Sequence, residues 1–309
     1  MSEVRNFLGI DIGASAIKYG WGNSVSSLQG FDSIATPNSS KAGIKKAMAE
    51  VIARCGQRVK AISGIGIGIP GTLDIGSSRL HGINPNLQCL NDTRLSDLLP
   101  EDIRIPYWFE NDANLMTFSE AIQYPDARVV IGITLGSGIG SGLVINGGIY
   151  RGGCGYAMEI GHIEMVDKGA ECNCGRTGCL EAYSSMTGIR RRLQLLGIDA
   201  ADWDYARILE TGKRDASVNL VVTEGLKYLS RGIGILSVIL DPDVIVLGGG
   251  MTEVADFPWI SIKDRIMELT PEQNREHLRL VKAEFGNRSG VRGGILLAEK
   301  MLPSCQTPF

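Results

Sequence analysis

The chain contains no apolar run that approaches the roughly 20 residues a membrane-spanning helix needs. It has no charge excess of either sign: 31 Lys and Arg stand against 34 Asp and Glu, a formal net charge of −3 at pH 7. So balanced a chain generates no long-range field to draw it to nucleic acid or to an anionic membrane. Cysteine is sparse and odd in number, 7 in 309 residues, whereas a secreted disulfide scaffold uses a dense, even set. No signal peptide is expected either, since Arg5 leads into a short strand-like run and then Asp11. Histidine is limited to 3 residues and aromatics to 6%. These absences leave a reducing, cytoplasmic setting and small-molecule partners as the expectation, with no nucleic acid and no membrane.

Glycine is abundant, at 40 residues. The glycines cluster where strands turn and follow no repeat, a usage that fits backbone approaching a ligand. With 44% hydrophobic and 21% charged residues, the composition is that of a globular protein long enough for two domains.

The hydrophobic pattern divides the chain into two α/β halves. Strands are expected at 6–12, 15–22 and 28–35, a helix at 43–54, and a strand at 61–69 in which Ile65, Ile67 and Ile69 alternate with Gly64, Gly66 and Gly68. That alternation puts isoleucine on one face and bare backbone on the other, so some element must pack very close to the glycine face. A strand at 106–110 leads into a helix at 113–122. The second half repeats the opening, with strands at 128–135 and 139–146 around a Gly turn. Val218, Val222, Leu226, Leu229, Ile233, Leu236 and Leu240 fall at helical spacing and predict a helix over 216–240. A strand at 243–247, a strand at 278–283 and a helix at 289–302 close the chain. The expected domains are 1–118, with a C-terminal helix in 290–309 packing back on it, and 119–289.

Five motifs carry chemistry. Asp11-Ile12-Gly13-Ala14-Ser15-Ala16-Ile17-Lys18 delivers a carboxylate, a hydroxyl and an amine to a Gly turn. Such a turn offers backbone N–H groups to phosphate, and Asp11 suits a hydrated Mg²⁺. Gly136-Ser137-Gly138 repeats the design in the second half. Either turn alone is also an ordinary hairpin, but a nucleotide held by two domains needs one phosphate turn from each. Gly248-Gly249-Gly250 after a strand allows a flat adenosine to lie on backbone, or simply turns the chain. In Glu110-Asn111-Asp112-Ala113-Asn114 the carboxylate of Asp112 stands at a strand end and helix start, as a base or as an N-cap. Finally His162 followed by Cys172, Cys174 and Cys179 makes a Cys₃His set of the tetrahedral zinc kind, with a disulfide or free thiols as the other readings. Cys55 reads as buried packing in a helix.

Taken together these motifs resemble the ROK family of sugar kinases and sugar-responsive repressors, most specifically in Cys172–Glu181 and in the run from Leu240 to Gly250. The resemblance implies an α/β, two-domain actin-like (ribonuclease H-like) ATPase fold, with the zinc motif 162–179 in the larger domain. It implies Asp112 as catalytic base, and Gly71, Asn86, Asn111, Asp112, Glu159, His162 and Glu181 around a sugar. Asp11, Gly13, Ala14, Ser15, Lys18, Gly136, Ser137, Gly138, Gly248, Gly249 and Gly250 would serve ATP and Mg²⁺. His162, Cys172, Cys174 and Cys179 would hold a structural Zn²⁺. The implied reaction is phosphorylation of the 6-hydroxyl of a hexose, D-allose first and then glucose, fructose or mannose, by a homodimer. A sugar-sensing regulator is the alternative, but the first strand near residue 6 leaves no room ahead of it for a helix-turn-helix. A non-catalytic sugar-binding protein is a third reading, opposed by the intact Asp112. The chain departs from the family pattern at Met158, where Gly is usual, at Gln88-Cys89, where Pro-Gly is typical, and at Ala14-Ser15 and Ser137, which keep the hydroxyl.

Overall fold

The computed structural model describes residues 5–24, 27–37, 40–74, 76–81 and 87–302. The chain opens with β1 (Phe7–Ile12), β2 (Ala16–Gly22) and β3 (Leu28–Ala35), then α1 (Lys41–Gly56) and β4 (Gly64–Ile69). A small hairpin, β5 (Thr72–Asp74) and β6 (Arg79–His81), precedes β7 (Tyr107–Asn111) and α2 (Asp112–Ala121). Next come β8 (Val129–Leu135), β9 (Ile139–Ile145) and β10 (Gly148–Ile149). The helices α3 (Glu181–Ser184), α4 (Met186–Leu195), α5 (Tyr205–Gly212) and α6 (Ala216–Leu240) follow. The chain ends with β11 (Val244–Gly248), α7 (Trp259–Leu269), α8 (Glu272–Arg275), β12 (Arg279–Lys282) and α9 (Ser289–Met301). No described helix is long and apolar enough to cross a membrane.

Two compact units result. The first is Met1–Gln123 with Arg151–Ala157 and Asn287–Phe309; the second is Tyr124–Tyr150 with Met158–Gly286. The return of Arg151–Ala157 to the first unit comes from contacts far apart in sequence, which a linear reading does not delimit.

The first unit carries a sheet in the order β3-β2-β1-β4-β7. β1, β2 and β3 form an antiparallel meander, while β4 runs parallel to β1 and β7 parallel to β4. The second unit repeats this plan as β10-β9-β8-β11-β12. There β8, β9 and β10 make the meander, with β11 parallel to β8 and β12 parallel to β11. Parallel strands end at the same edge of their sheet, so each unit gathers the turns that follow its parallel strands along one edge. Open α/β sheets bind ligands at that edge.

α1 buries Ile44, Ala47, Met48, Val51 and Cys55 against one face of the first sheet, joining Ile65, Ile67 and Ile69 in one core. Ser40 caps it by accepting from the Gly43 N–H at 3.1 Å. The element expected against the glycine face is α9. A Cβ on Gly66 would lie 1.9 Å from the Gly294 carbonyl oxygen, and one on Gly9 1.9 Å from that of Val291. Only bare backbone permits such an approach, and it sets the N-terminal end of α9 beside Asp11, at Gly290. In the second unit α6 buries Val218, Val222, Leu229, Ile233 and Leu236 as its spacing predicts. Asp215 caps it at the start, and Asp241 ends it in the left-handed conformation at φ 45°.

Candidate functional site

In the first unit the parallel strands β1, β4 and β7 deliver Asp11, Gly71 and the pair Asn111-Asp112 to one sheet edge. Asp11 is in register with Gly68, and Gly68 with Glu110. The β1–β2 turn closes by a bond from the Gly13 N–H to the Ala16 carbonyl at 3.0 Å, with Ser15 exposed. Lys18 Nζ lies 3.8 Å from Asp11 Oδ2 and donates to Asn287 Oδ1 at 3.4 Å. Asn111 donates from Nδ2 to the Gly71 carbonyl at 3.2 Å, joining the ends of β7 and β4. Asn86 falls outside the described residues, so its place is not assigned.

Asp112 is not the N-cap of α2. That role belongs to Asn111, whose Oδ1 accepts from the Asn114 N–H at 3.1 Å. Asp112 is the first helical residue, and its Oδ1 accepts from the Ala113 N–H at 2.9 Å. Burial raises its pKa above the ordinary carboxylate value; the backbone hydrogen bonds and the Lys18 charge oppose the rise without cancelling it.

Asp11 is pushed up to about 6, first by burial and then by the charge of Asp112, with Lys18 opposing. Its side chain is 16% exposed. The shift has a consequence for stability. A carboxyl raised in the native state binds its proton more tightly there than in the unfolded chain. Its contribution is therefore fully present below about pH 4 and lost as pH rises through about 6. At pH 7.5 the charged Asp11 destabilises the metal-free, nucleotide-free protein. Asp11→Asn is expected to stabilise that form by about 1–3 kcal/mol at pH 7.5 and by much less at pH 5. Thermal melts at the two pH values check this, and an equal or lower Tm for Asp11→Asn at pH 7.5 would count against it.

Glu110, to which no role was assigned from sequence, is 2% exposed. It accepts from the Asn111 N–H at 3.0 Å, from Asn114 Nδ2 at 2.9 Å and from Arg151 Nε at 2.6 Å. A charged residue inside the strand Tyr107–Asn111 signals that a partner is needed. Its partner, 41 positions away, carries no pattern of its own in the sequence.

In the second unit the β8–β9 turn places Gly136, Ser137 and Gly138, closed by the Gly136 N–H to the Gly138 carbonyl at 3.0 Å. Ser137 is exposed. The Gly248-Gly249-Gly250 turn lies against it, since the Met251 N–H donates to the Leu135 carbonyl at 3.1 Å. Glu181 reaches the same turn: its Oε2 accepts from the Ile139 N–H at 2.9 Å, and its Oε1 lies 3.8 Å from Cys172 Sγ. Glu181 thus joins the Gly turn to the cysteine cluster. Glu159 is exposed, three residues before His162 on a short 3₁₀ turn.

The ligand atoms of His162, Cys172, Cys174 and Cys179 all lie within 4.8 Å of one another. Cys172 Sγ is 3.7 Å from His162 Nδ1, and Cys174 Sγ is 3.7 Å from Cys179 Sγ. In a tetrahedron with bonds of about 2.3 Å the sulfur–sulfur edge is about 3.8 Å. The donor set therefore fits a zinc ion in size and in chemistry, and 3.7 Å is far beyond a disulfide bond. The loop reaches this shape through Gly178, at φ +75°, where a Cβ would lie 1.9 Å from the Val166 carbonyl oxygen.

Met158 stands at φ +69° and supplies the carbonyl that Ser141 Oγ bonds. A left-handed conformation costs an L-residue roughly 1–2 kcal/mol and most penalises a branched Cβ. This is a physical reason for Gly at the position. Met158→Val is expected to lower stability by about 1–2 kcal/mol relative to Met158→Gly. Denaturant melts of the pair measure the difference, and equal midpoints would contradict the assignment of strain.

Two carboxylates at the end of one sheet, a Gly turn in each unit and a Cys₃His cluster mark a two-unit α/β protein. Comparison with known proteins gives the family. The ROK family profile matches residues 7–301, and the chain belongs to the ROK family. It is 31% identical to a glucokinase of Halalkalibacterium halodurans, over 94% of each chain. It is 30% identical to an N-acetyl-D-glucosamine kinase of Salmonella paratyphi B, over 94% of this chain and 98% of that one. A crystal structure of a ROK family glucokinase from Streptomyces griseus in complex with glucose and AMPPNP superposes with a TM-score of 0.76 at 25% identity, covering 96% of this chain and 99% of that one. The fold is the actin-like ATPase fold of the ROK sugar kinases.

Proposed function

We propose that this ROK-family sugar kinase transfers the γ-phosphoryl group of ATP to the 6-hydroxyl of a hexose, with Asp112 as the base that takes the hydroxyl proton. The observation that carries the reading is the convergence of Asp11 and Asp112 at the ends of parallel strands, with Asp112 raised by burial toward the pH at which a base works best. Phosphoryl transfer has a loose transition state, so catalysis rests on position and charge neutralisation. In this reading Asp11 would orient the water shell of Mg²⁺, and Lys18 with the N–H groups of residues 14–15 and 137–138 would meet phosphate, while the Gly13 and Gly136 N–H groups close the two turns. Gly248–Gly250 offers backbone to the adenosine. Gly71, Asn86, Asn111, Glu159, His162 and Glu181 hold sugar hydroxyls.

The Cys₃His set would hold zinc, which fixes the orientation of the His162 ring. Its Nδ1 turns to the cluster, leaving Nε2 for a sugar hydroxyl. The relatives named glucokinase and N-acetyl-D-glucosamine kinase support a glucose-like ring. Met158 and Gln88-Cys89, which depart from the family pattern near the sugar, support a different hexose, and D-allose ranks first, ahead of glucose, fructose and mannose. A homodimer is part of the proposal. The test is coupled ADP release with D-allose, glucose, fructose, mannose and N-acetylated hexosamines. Sugar-dependent ADP release is expected, with the highest kcat/KM on D-allose. A higher value on glucose would overturn the ranking, and no release with any hexose would overturn the 6-hydroxyl assignment.

A further inference from the structure

We propose that Arg151 and Glu110 form a positioning clamp that fixes the β7–α2 turn and thereby aims Asp112 at its substrate. The clamp rests on the reading of Asp112 as the base.

Glu110 sits two residues before Asp112 and is buried at 2% exposure. One oxygen accepts from the Asn111 N–H and from Asn114 Nδ2; the other accepts from Arg151 Nε at 2.6 Å. The carboxylate thus grips residues on both sides of Asp112: Asn111, which caps α2, and Asn114 in its first turn. Neutral donors fix its direction, and the guanidinium supplies the opposite charge that a buried carboxylate requires. With that charge removed, Glu110 is left buried and unbalanced, and its easiest relief is to turn toward water. Both bonds that hold the β7–α2 turn would go with it.

Arg151 has a second attachment. It opens Arg151–Ala157, the stretch by which the chain leaves the second unit after Tyr150 and returns to it at Met158. The Ala157 N–H donates to the Arg151 carbonyl at 3.2 Å, closing this stretch into a loop at its base. The clamp therefore binds the base of that loop to the strand end that carries Asn111 and Asp112. A bystander ion pair would contribute to stability alone. A positioning pair must also change turnover, because small displacements of a reacting group cost up to about 10²-fold in rate.

The experiment measures kcat, sugar KM, ATP KM and Tm for Arg151→Met, Arg151→Lys, Glu110→Gln and Asp112→Asn, assayed well below each Tm. Arg151→Met is expected to lose about 10–100-fold in kcat with ATP KM within a few-fold of wild type. Arg151→Lys keeps the charge but not the planar Nε donor, so it should recover part of the loss. A kcat for Arg151→Met within two-fold of wild type overturns the clamp, even where Tm falls. Should Arg151→Met not fold, Glu110→Gln carries the test. It is expected to lose about 10-fold in kcat, and a wild-type kcat there overturns the clamp. An inactive Asp112→Asn beside a fully active Arg151→Met removes the clamp and leaves the base reading standing. A fully active Asp112→Asn removes both.

Discussion

Asp112→Asn is expected to lower kcat by about 10²–10⁴-fold while sugar KM stays near wild type and Tm does not fall, since a carboxylate raised by burial is replaced by a neutral amide. The substitution keeps the size of the side chain and an oxygen that accepts from the Ala113 N–H, the bond Asp112 Oδ1 makes at 2.9 Å. It removes the proton acceptor. Because the cap of α2 is Asn111, Asp112→Ala should also cost little stability while losing activity, whereas Asn111→Ala should cost about 1 kcal/mol. The pH dependence follows from burial. A base works only when deprotonated, and the pKa of Asp112 is raised by burial. The acid limb of kcat should therefore lie above the ordinary carboxylate range, with activity lost as pH falls through it. Steady-state kinetics across pH, with circular dichroism melts of each variant, check both parts. A kcat for Asp112→Asn within a few-fold of wild type would end the assignment and move attention to Asp11.

What the sequence discloses depends on how local the physics is. The faces of α6 and of Gly64–Ile69 follow from spacing within a single element, and the spacing even implied a close neighbour on the glycine side. It did not name α9, because that contact joins residues more than 200 positions apart. The Cys₃His set was legible since three of its members lie within eight consecutive residues. α5 and α7 went unread. They bury only Tyr205 with Ile208 and Ile262 with Ile266, one helical repeat each, too few to establish a period. The capping alternative for Asp112 belongs one position earlier, at Asn111, which spacing does not separate because Asn and Asp both cap well and the two are adjacent. Arg151 lies beyond local reading altogether. An arginine before two glycines marks a loop, and only the fold brings it to Glu110.

Freshly purified protein is expected to carry one zinc per chain, and Cys174→Ser to lose that metal together with stability. The reason lies in how little else holds the loop. Between His162 and Cys179 the backbone is a series of turns and isolated bridges, with the Glu164–Cys179 and Glu171–Thr177 pairs as its ladder. The apolar cluster beneath it is small, with Cys172, Cys179, Ala182 and Tyr183 as its buried members. Without a cation two of the three thiols resist ionisation: burial pushes Cys172 up to about 12 and raises Cys179, while hydrogen bonds from Arg176 and the neighbouring thiols hold Cys174 below the ordinary thiol value against the effect of burial. A divalent ion reverses that preference, and the free energy of binding then becomes folding free energy. Only part of the roughly 10–16 kcal/mol seen for zinc-finger peptides can appear here, because the rest of the second unit has its own core. Several kcal/mol for a chain of this size corresponds to a fall in Tm on the order of 10 °C. The loss should reach the sugar as well. His162 belongs to the cluster and Glu181 touches Cys172, and both are assigned to the sugar, so a loosened cluster should raise sugar KM, and ATP KM as well through the bond from the Ile139 N–H of the β8–β9 turn to Glu181. Elemental analysis, melts with and without a chelator, and kinetics of Cys174→Ser provide the measurements. A chelator should destabilise the wild type while a thiol reductant should not, the reverse of what a disulfide would give. Protein purified without chelator that holds no zinc, or a Cys174→Ser variant with full metal content and wild-type Tm, would show that the four side chains meet for some other reason.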